Sequence, residues 1–189
     1  MTRKKPGILN VPNALTMLRM ALIPLFVWLM ARGSMMESLA VFLAASFTDV
    51  LDGWIARRYN LITDFGKVMD PLADKLMVLS AMLMLALKGV APWAAIIVLL
   101  LKEALMVLGG FLLLRRKVVV YSMPIGKAAQ FVTVVALALS FFHESFARLG
   151  FPLHLYVLWL GVGLAVVAFF YYARRNFAGF FRRGDIARD

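Results

Sequence analysis

Long apolar runs separated by short polar links constrain this chain more than any other feature. The runs cover residues 14–31, 38–56, 68–87, 92–114, 125–142 and 153–173. Each is close to the ~20 residues that a helix needs to cross the hydrocarbon of a bilayer. With 63% hydrophobic and 16% charged residues, the chain is also too apolar for a soluble domain. We therefore predict an all-α integral membrane protein whose 189 residues form one domain of six transmembrane helices.

Basic residues divide unequally between the two sets of links. The links that share a side with both termini carry fifteen lysines and arginines: Arg3, Lys4, Lys5, Arg57, Arg58, Lys67, Arg115, Arg116, Lys117, Lys127, Arg174, Arg175, Arg182, Arg183 and Arg188. The opposite links carry three: Arg32, Lys88 and Arg148. Because basic links stay on the cytoplasmic side, we predict cytoplasmic termini, a short interfacial segment at residues 1–13 and a basic cytoplasmic tail at 174–189.

The net charge of +11 does not indicate nucleic acid as a partner. A nucleic-acid site needs a basic stripe on a polar surface, whereas these charges lie among apolar runs. The basic tail is better placed to bind anionic lipid headgroups. The chain contains no cysteine, which excludes thiolate chemistry, and we expect His143 and His154 to be packed or interfacial side chains.

Acidic residues concentrate at the cytoplasmic ends of the second and third predicted helices. Half of the chain's ten acids lie in this window: Asp49, Asp52, Asp64, Asp70 and Asp74. Carboxylates at membrane depth are costly and normally face a bundle interior or an aqueous cavity, where they mark substrate or ion sites. The window is therefore the candidate functional site.

Helical spacing places four of these carboxylates on two facing surfaces. Asp49 and Asp52 share one face of the second helix with Gly53 and Ala56, and Asp70 and Asp74 share one face of the third with Gly66. Two antiparallel neighbours joined by a short link would point both pairs into one groove. The small residues would leave bare helix surface for a ligand, and Arg57 at the helix end could bind phosphate oxygens.

Four carboxylates in one groove repel each other unless cations compensate them. Hard oxygen donors prefer Mg²⁺ or Mn²⁺ to softer metals. We therefore predict two such ions held by Asp49, Asp52, Asp70 and Asp74, a pairing that suits phosphoryl transfer.

The spacing of these residues resembles a known sequence signature. Asp49-Val50-Leu51-Asp52-Gly53-Trp54-Ile55-Ala56-Arg57, followed after eight residues by Gly66, after three more by Asp70 and after three more by Asp74, matches every defined position of the CDP-alcohol phosphotransferase signature. Eight fixed residues over this length make the match specific. Residues 10–19 and 63–75 are most similar to bacterial phosphatidylglycerophosphate synthases, members of that family in the inner membrane.

The resemblance implies a role for each matching residue. It implies that the first three aspartates bind metals and that Asp74 both binds a metal and acts as the general base. It further implies contacts to CDP-diacylglycerol from a second set: Asn13, Thr16, Arg19, Gly53, Ala56, Arg57, Thr63 and Gly66. The family resemblance also suggests a homodimer.

The acceptor alcohol is less well specified than the donor. Glycerol 3-phosphate is the expected acceptor, and its phosphate would need basic residues such as Arg115, Arg116 and Lys127 near the fourth-to-fifth connection. Lys102-Glu103 stands where those synthases usually have Arg-Glu. A cardiolipin synthase using phosphatidylglycerol, or a transferase to inositol phosphate or another alcohol, therefore remains an alternative.

The implied reaction is attack of the acceptor hydroxyl on the diacylglycerol-side phosphorus of CDP-diacylglycerol, with CMP leaving. A transporter is the alternative from another class, since intramembrane carboxylates also relay protons or bind ions. Transporters of that kind show inverted repeats and charges in mid-span. Here the acids occur once, in two helices joined by a short link.

Overall fold

The computed structural model describes residues 10–61, 63–115 and 124–184, with side chains for all of these except 111–115 and 176–184. Seven helices and no strand occur in these ranges. They are α1 (Val11–Arg32), α2 (Met35–Arg58), α3 (Asp64–Leu87), α4 (Trp93–Arg115), α5 (Pro124–Ser140), α6 (His143–Arg148) and α7 (Leu153–Gly184). The all-α prediction is confirmed.

Each predicted apolar run forms the main part of one helix, and the differences lie at the ends. α1 begins at Val11, so residues 11–13 of the predicted interfacial segment belong to that helix, and residues 1–9 lie outside the described range. α7 continues to Gly184 through most of the predicted tail. The short α6 lies in the link between the fifth and sixth apolar runs.

Four helices are long and apolar enough to cross a membrane. They are α1, α2, the Trp93–Gly110 part of α4 and the Leu153–Arg175 part of α7. α5 is apolar but has only 17 residues. The first half of α3 is rich in charge, with Asp64, Lys67, Asp70, Asp74 and Lys75. Six spans and the orientation of the termini remain predictions.

The helices form two compact units, one ending at Gly89 and the other beginning at Val90. In the first unit α1 packs against both α2 and α3, and its Phe26 and Met30 are fully buried. The ring of Phe26 lies 6.2 Å from that of Phe42 on α2. α3 contributes the buried Ala81 and Leu85. This apolar packing fixes α1 between the two helices that carry the candidate acids.

Two tight helix ends set the connections in the first unit. Gly33 has φ 86°, and the next amide, that of Ser34, donates to the carbonyl of Leu29. Asn60 has φ 53°, and the next amide, that of Leu61, donates to the carbonyl of Ala56. Both follow the pattern in which a left-handed residue lets the chain satisfy the last helical carbonyls. The turn at Asn60 leaves only a few residues before α3 begins, so the acidic end of α2 and the acidic start of α3 stay close together.

In the second unit α7 packs against α4, α5 and α6. Buried small residues on α5, including Ala129, Thr133 and Ala136, allow a close approach. A β-carbon built on Gly161 of α7 would lie 3.1 Å from the hydroxyl of Thr133, so the helices meet where a side chain is missing. His154 is buried with its ring stacked on Phe146, as expected for a packed histidine.

Candidate functional site

A stripe of polar side chains crosses the buried surface of α1. Asn10, Asn13, Thr16 and Arg19 occur at intervals of three residues, and the last three are almost completely buried. Three residues are less than one helical turn, so each step rotates the stripe by about 60° around the helix. The stripe therefore runs obliquely: Asn13 contacts Thr63 just before α3, Thr16 contacts α3, and Arg19 contacts α2.

The stripe begins at the amino terminus of α1. The side chain of Asn10 caps this helix by accepting a hydrogen bond from the amide of Asn13 at 2.9 Å. Its own amide group donates to the carbonyl of Leu61 at 3.3 Å. One asparagine thus starts α1 and ties that start to the link between α2 and α3.

Thr63 joins the start of α3 to the same stripe. Its hydroxyl accepts from the amide of Gly66 at 3.0 Å, which caps α3, and donates to the side-chain oxygen of Asn13 at 3.0 Å. A β-carbon on Gly66 would lie 2.9 Å from that asparagine oxygen and 3.3 Å from Oδ2 of Asp70. Gly66 is therefore required for the close approach of these polar groups.

Asp70 is held by the next member of the stripe. The hydroxyl of Thr16 donates to Oδ1 of Asp70 at 2.5 Å and also lies 3.1 Å from the carbonyl of Pro12. Asp70 is half-buried, and Asp74 lies one turn further along α3, also half-buried. The two carboxylates thus follow one another on the same face of α3.

Arg19 bridges the two acids of α2. Its Nη1 lies 2.8 Å from Oδ1 of Asp49, and its Nη2 donates to Oδ2 of Asp52. Arg19 and Asp52 are 1% and 2% exposed, whereas the Asp49 side chain is 41% exposed. Nε of Arg19 is buried and makes no hydrogen bond within the described residues. The ion pair is therefore closed on the Asp52 side and open to solvent on the Asp49 side.

The remaining residues expected to contact the nucleotide lie at the end of α2. The guanidinium of Arg57 folds back over Gly53, where a β-carbon would lie 3.2 Å from its Nη1. Arg57 is exposed, and Ala56 is half-buried. The bare surface predicted at Gly53 is therefore covered by the flexible side chain one turn later.

The residues expected to bind the acceptor phosphate are described only in part. Arg115 ends α4, but its side chain is outside the described set, and Arg116 lies outside the described residues altogether. Lys127 is exposed near the amino terminus of α5, in the second unit. Their role stays a prediction.

The described residues contain no group of three or more acidic or histidine side chains gathered closely enough to hold a metal ion. Asp49 and Asp52 are instead joined by a guanidinium, and Asp70 is bonded to a hydroxyl. Carboxylate oxygens are the donors that a hard cation prefers, but the described acids do not lie close enough together to form such a group. Arg19 supplies one positive charge to the two carboxylates of α2.

The sequence predicted the acids and three of the four polar residues of the stripe as site residues. It missed two of the contacts that these residues make. It did not include Asn10, and it treated Arg19 only as a contact for the nucleotide. The regular spacing of polar residues in an otherwise apolar helix was the available signal. An arginine buried in such a helix needs an acid as its partner.

Comparison with known proteins shows which family this sequence is similar to. The sequence profile of the CDP-alcohol phosphatidyltransferase family matches residues 9–167.

Individual relatives agree with that match. A protein of Bacillus subtilis named CDP-diacylglycerol--glycerol-3-phosphate 3-phosphatidyltransferase is 33% identical over 184 residues, which is 88% of this chain and 95% of the relative. A protein of the same name from Rickettsia bellii is 45% identical over 83 residues, 42% of this chain and 46% of the relative. A probable phosphatidylglycerophosphate synthase of Mycobacterium tuberculosis is 33% identical over 138 residues, 70% of this chain and 66% of the relative. The chain therefore belongs to the CDP-alcohol phosphatidyltransferase family.

Proposed function

We propose that the protein transfers the phosphatidyl group of CDP-diacylglycerol to glycerol 3-phosphate and releases CMP. The observation that carries the proposal is the match to the Bacillus subtilis enzyme named for this reaction, which extends over nearly all of that relative. The buried polar network of α1 to α3 supports it, since it gathers the signature residues of two helices around one face of a third.

The acids serve as the reaction centre in this proposal. Asp49, Asp52, Asp70 and Asp74 would hold two Mg²⁺ or Mn²⁺ ions, whose charge would compensate that of the pyrophosphate. In the reaction itself, the acceptor hydroxyl forms a bond to the diacylglycerol-side phosphorus while the bond from that phosphorus to CMP breaks. Asp74 takes the hydroxyl proton. No covalent intermediate on the protein is needed.

The neighbouring polar residues position the donor. Arg57 is exposed on a flexible side chain at the end of α2, so its guanidinium can leave Gly53 and bind two phosphate oxygens in parallel. Asn13 and Thr63 are already linked beside Gly66 and offer polar contacts to the nucleotide. Ala56 and Gly66 leave the adjoining surfaces of α2 and α3 free of large side chains. Arg115, Arg116 and Lys127 would bind the phosphate of the acceptor.

The setting of the site follows from its substrates. Acyl chains remain in lipid while the nucleotide must stay hydrated, so a site at the ends of α2 and α3 suits both requirements. We propose six membrane spans, with α3 and α5 joining the four apolar helices, both termini in the cytoplasm, and a location in the bacterial inner membrane. We also propose a homodimer, which a measured mass in mild detergent equal to that of one chain would contradict.

Purified protein incubated with labelled CDP-diacylglycerol and a panel of acceptors tests the function. Glycerol 3-phosphate should give phosphatidylglycerophosphate and an equal amount of CMP, and removal of divalent metal with EDTA should abolish both. Inositol phosphate and phosphatidylglycerol test the alternative acceptors. Asp64→Asn is a suitable control, because Asp64 is exposed and pairs with the exposed Lys67 at 2.9 Å, so this variant should keep its activity. Product from another acceptor alone would contradict the proposed substrate.

A further inference from the structure

We propose that the link between α5 and α7 binds the boundary between headgroups and acyl chains of the bilayer, with α6 lying in that boundary as an interfacial anchor. The residues that make the contact are Phe142, Leu149, Phe151, Tyr156 and Trp93, and we call them the α6 surface. They lie at the end of the second unit where α4 and α7 begin. The proposal goes beyond the proposed function, because it requires only that the chain crosses a membrane.

The α6 surface is apolar and open. Leu149 is 77% exposed. Phe151 and Tyr156 are each more than half exposed, and their rings stack on each other at 5.1 Å. Phe142 and Trp93 are exposed as well. A cluster of large apolar side chains of this kind marks a surface that something apolar covers.

The six-residue α6 has an apolar and a polar side. Phe142, Phe146 and Leu149 follow one another at i, i+4 and i+7, so they share one side of the helix. The opposite side carries three exposed polar residues: Glu144, Ser145 and Arg148. A helix with two such sides lies in the plane of the membrane interface, with its apolar side toward the acyl chains. Because one acid balances one base, its binding does not require anionic lipid.

Contacts around His154 keep α6 at the level where α7 begins. The buried ring of His154, the second residue of α7, stacks on Phe146 at 5.8 Å and meets the ring of His143 edge-on at 6.5 Å. The same imidazole is hydrogen-bonded to the backbone of Val90, three residues before α4. α6 therefore lies against the first turn of α7, beside the start of α4.

A tight turn brings the chain back at the end of α6. Gly150 has φ 67°, and its amide donates to the carbonyl of Ala147 at 3.1 Å. The amide of Phe151 donates to the carbonyl of Phe146 at 3.2 Å. This pair of hydrogen bonds reverses the chain directly after a helix. The turn keeps Phe151 beside α6, next to Leu149, so both side chains belong to one surface.

The types of aromatic residue identify lipid as the partner. Trp93 is the first residue of α4, and Tyr156 lies in the first turn of α7. Both helices have stretches long and apolar enough to cross a membrane, and the two helices pack against each other. Tryptophan and tyrosine concentrate where headgroups meet acyl chains, because their rings are apolar and their polar groups need water. One boundary of the bilayer therefore passes both helix starts, and α6 lies at the same level.

Spin labels at single cysteines test the proposal in the full chain, which has no cysteine of its own. Leu149→Cys and Phe151→Cys place a nitroxide on the α6 surface, and Ser145→Cys places one on the opposite side of α6. With the protein in phosphatidylcholine vesicles, electron paramagnetic resonance compares collisions with oxygen, which concentrates in lipid, and with a water-soluble nickel chelate. The ratio of oxygen to nickel collisions should be several-fold higher at 149 and 151 than at 145. That ratio corresponds to labels about 5–10 Å inside the boundary.

Two reference positions calibrate the measurement. Leu101→Cys gives the value for hydrocarbon, because Leu101 is exposed in the middle of the apolar part of α4. Asp64→Cys gives the value for water, because Asp64 is exposed. Labels at 149 and 151 that match the value at 64 overturn the proposal. Spin–spin broadening at 149 and 151, with little access to either reagent, would show that a second copy of the chain covers the surface and would also overturn it.

Lipid composition separates insertion of the apolar side from binding of a headgroup. Adding phosphatidylglycerol to the vesicles should leave the collision ratios at 149 and 151 unchanged, because Glu144 balances the charge of Arg148. Protection from nickel that appears only with the anionic lipid would indicate a headgroup site at Arg148 and contradict the proposal. The measurement uses neither CDP-diacylglycerol nor an acceptor, so its outcome is independent of the transferase assay.

Discussion

Individual side chains in the first unit have different proposed tasks, and Asp74 is the one proposed as the general base. Asp49, Asp52 and Asp70 each make a strong contact to α1, so replacing any of them changes both structure and charge. Asp74 lies one turn beyond Asp70 on the same half-buried face. In the proposed reaction it is the group that accepts the proton of the acceptor hydroxyl.

Asp74→Asn should slow turnover by at least ~10²-fold while CDP-diacylglycerol binding is better preserved, because asparagine keeps the shape and one oxygen donor but cannot take the proton. Steady-state kinetics with saturating substrate and metal would measure kcat, and a binding titration would measure the donor affinity. Arg57→Met should instead mainly raise KM, as expected for a phosphate contact in the ground state. A kcat near wild type for Asp74→Asn would exclude Asp74 as the base.

Gly66→Ala tests the polar junction between α1 and α3. The added β-carbon would lie 2.9 Å from Asn13 Oδ1 and 3.2 Å from Thr63 Oγ1, so these groups must shift. We expect a loss of about 1–3 kcal/mol in stability, the usual cost of overpacking, together with reduced turnover. The melting temperature in detergent measures the first effect. Gly109→Ala, where a β-carbon meets nothing within 4 Å, should melt close to wild type.

At the scale of helices, periodicity and composition predicted much but not all of the arrangement. Apolar runs located α1 to α5 and α7, because each run is long and its polar interruptions are short. The six-residue α6 is too short and too polar for periodicity to reveal. The start of α1 at Val11 depends on the Asn10 cap, a local hydrogen bond and not an apolar pattern.

The candidate site shows the same division between local and tertiary information. Spacing within α2 and α3 placed the acids in pairs, which is local information. The contacts of Arg19 with Asp49 and Asp52 join residues about thirty positions apart on different helices, so they depend on how α1 packs. Sequence spacing alone left the partner of Arg19 undefined.

Close approach of α5 and α7 should depend on Gly161. Its β-carbon would lie 3.1 Å from Thr133 Oγ1 and 3.4 Å from the backbone nitrogen of Thr133, which cannot move without shifting the helix. Gly161→Val should therefore lower the melting temperature, with a stability loss of about 1–3 kcal/mol. Gly163→Val, two residues away with nothing within 4 Å of a β-carbon, is the control. Equal melting of the two variants would show that this packing contributes little.

At the scale of the whole molecule, the number and direction of the membrane crossings decide on which side of the bilayer the acids of α2 and α3 lie. Four helices satisfy length and composition by themselves, and α3 and α5 must be added to reach six. α3 carries its charges in its first half, so its apolar second half would lie deeper in the bilayer than its acids. An even number of crossings would return the chain to its starting side.

Topology reporters fused at Asp189 and inserted at Gly150 should therefore report opposite sides of the membrane. The fifteen basic residues in the links on one side, against three on the other, predict that the position at 189 is cytoplasmic and the position at 150 is external. A reporter near Asn60 serves as the internal control, because the link between α2 and α3 adjoins the acids and must share the cytoplasmic side with the water-soluble nucleotide. Reporters at 150 and 189 on the same side would contradict an odd number of crossings between these two positions. An external reporter at Asn60 would place the proposed active site on the side opposite to its cytoplasmic substrates.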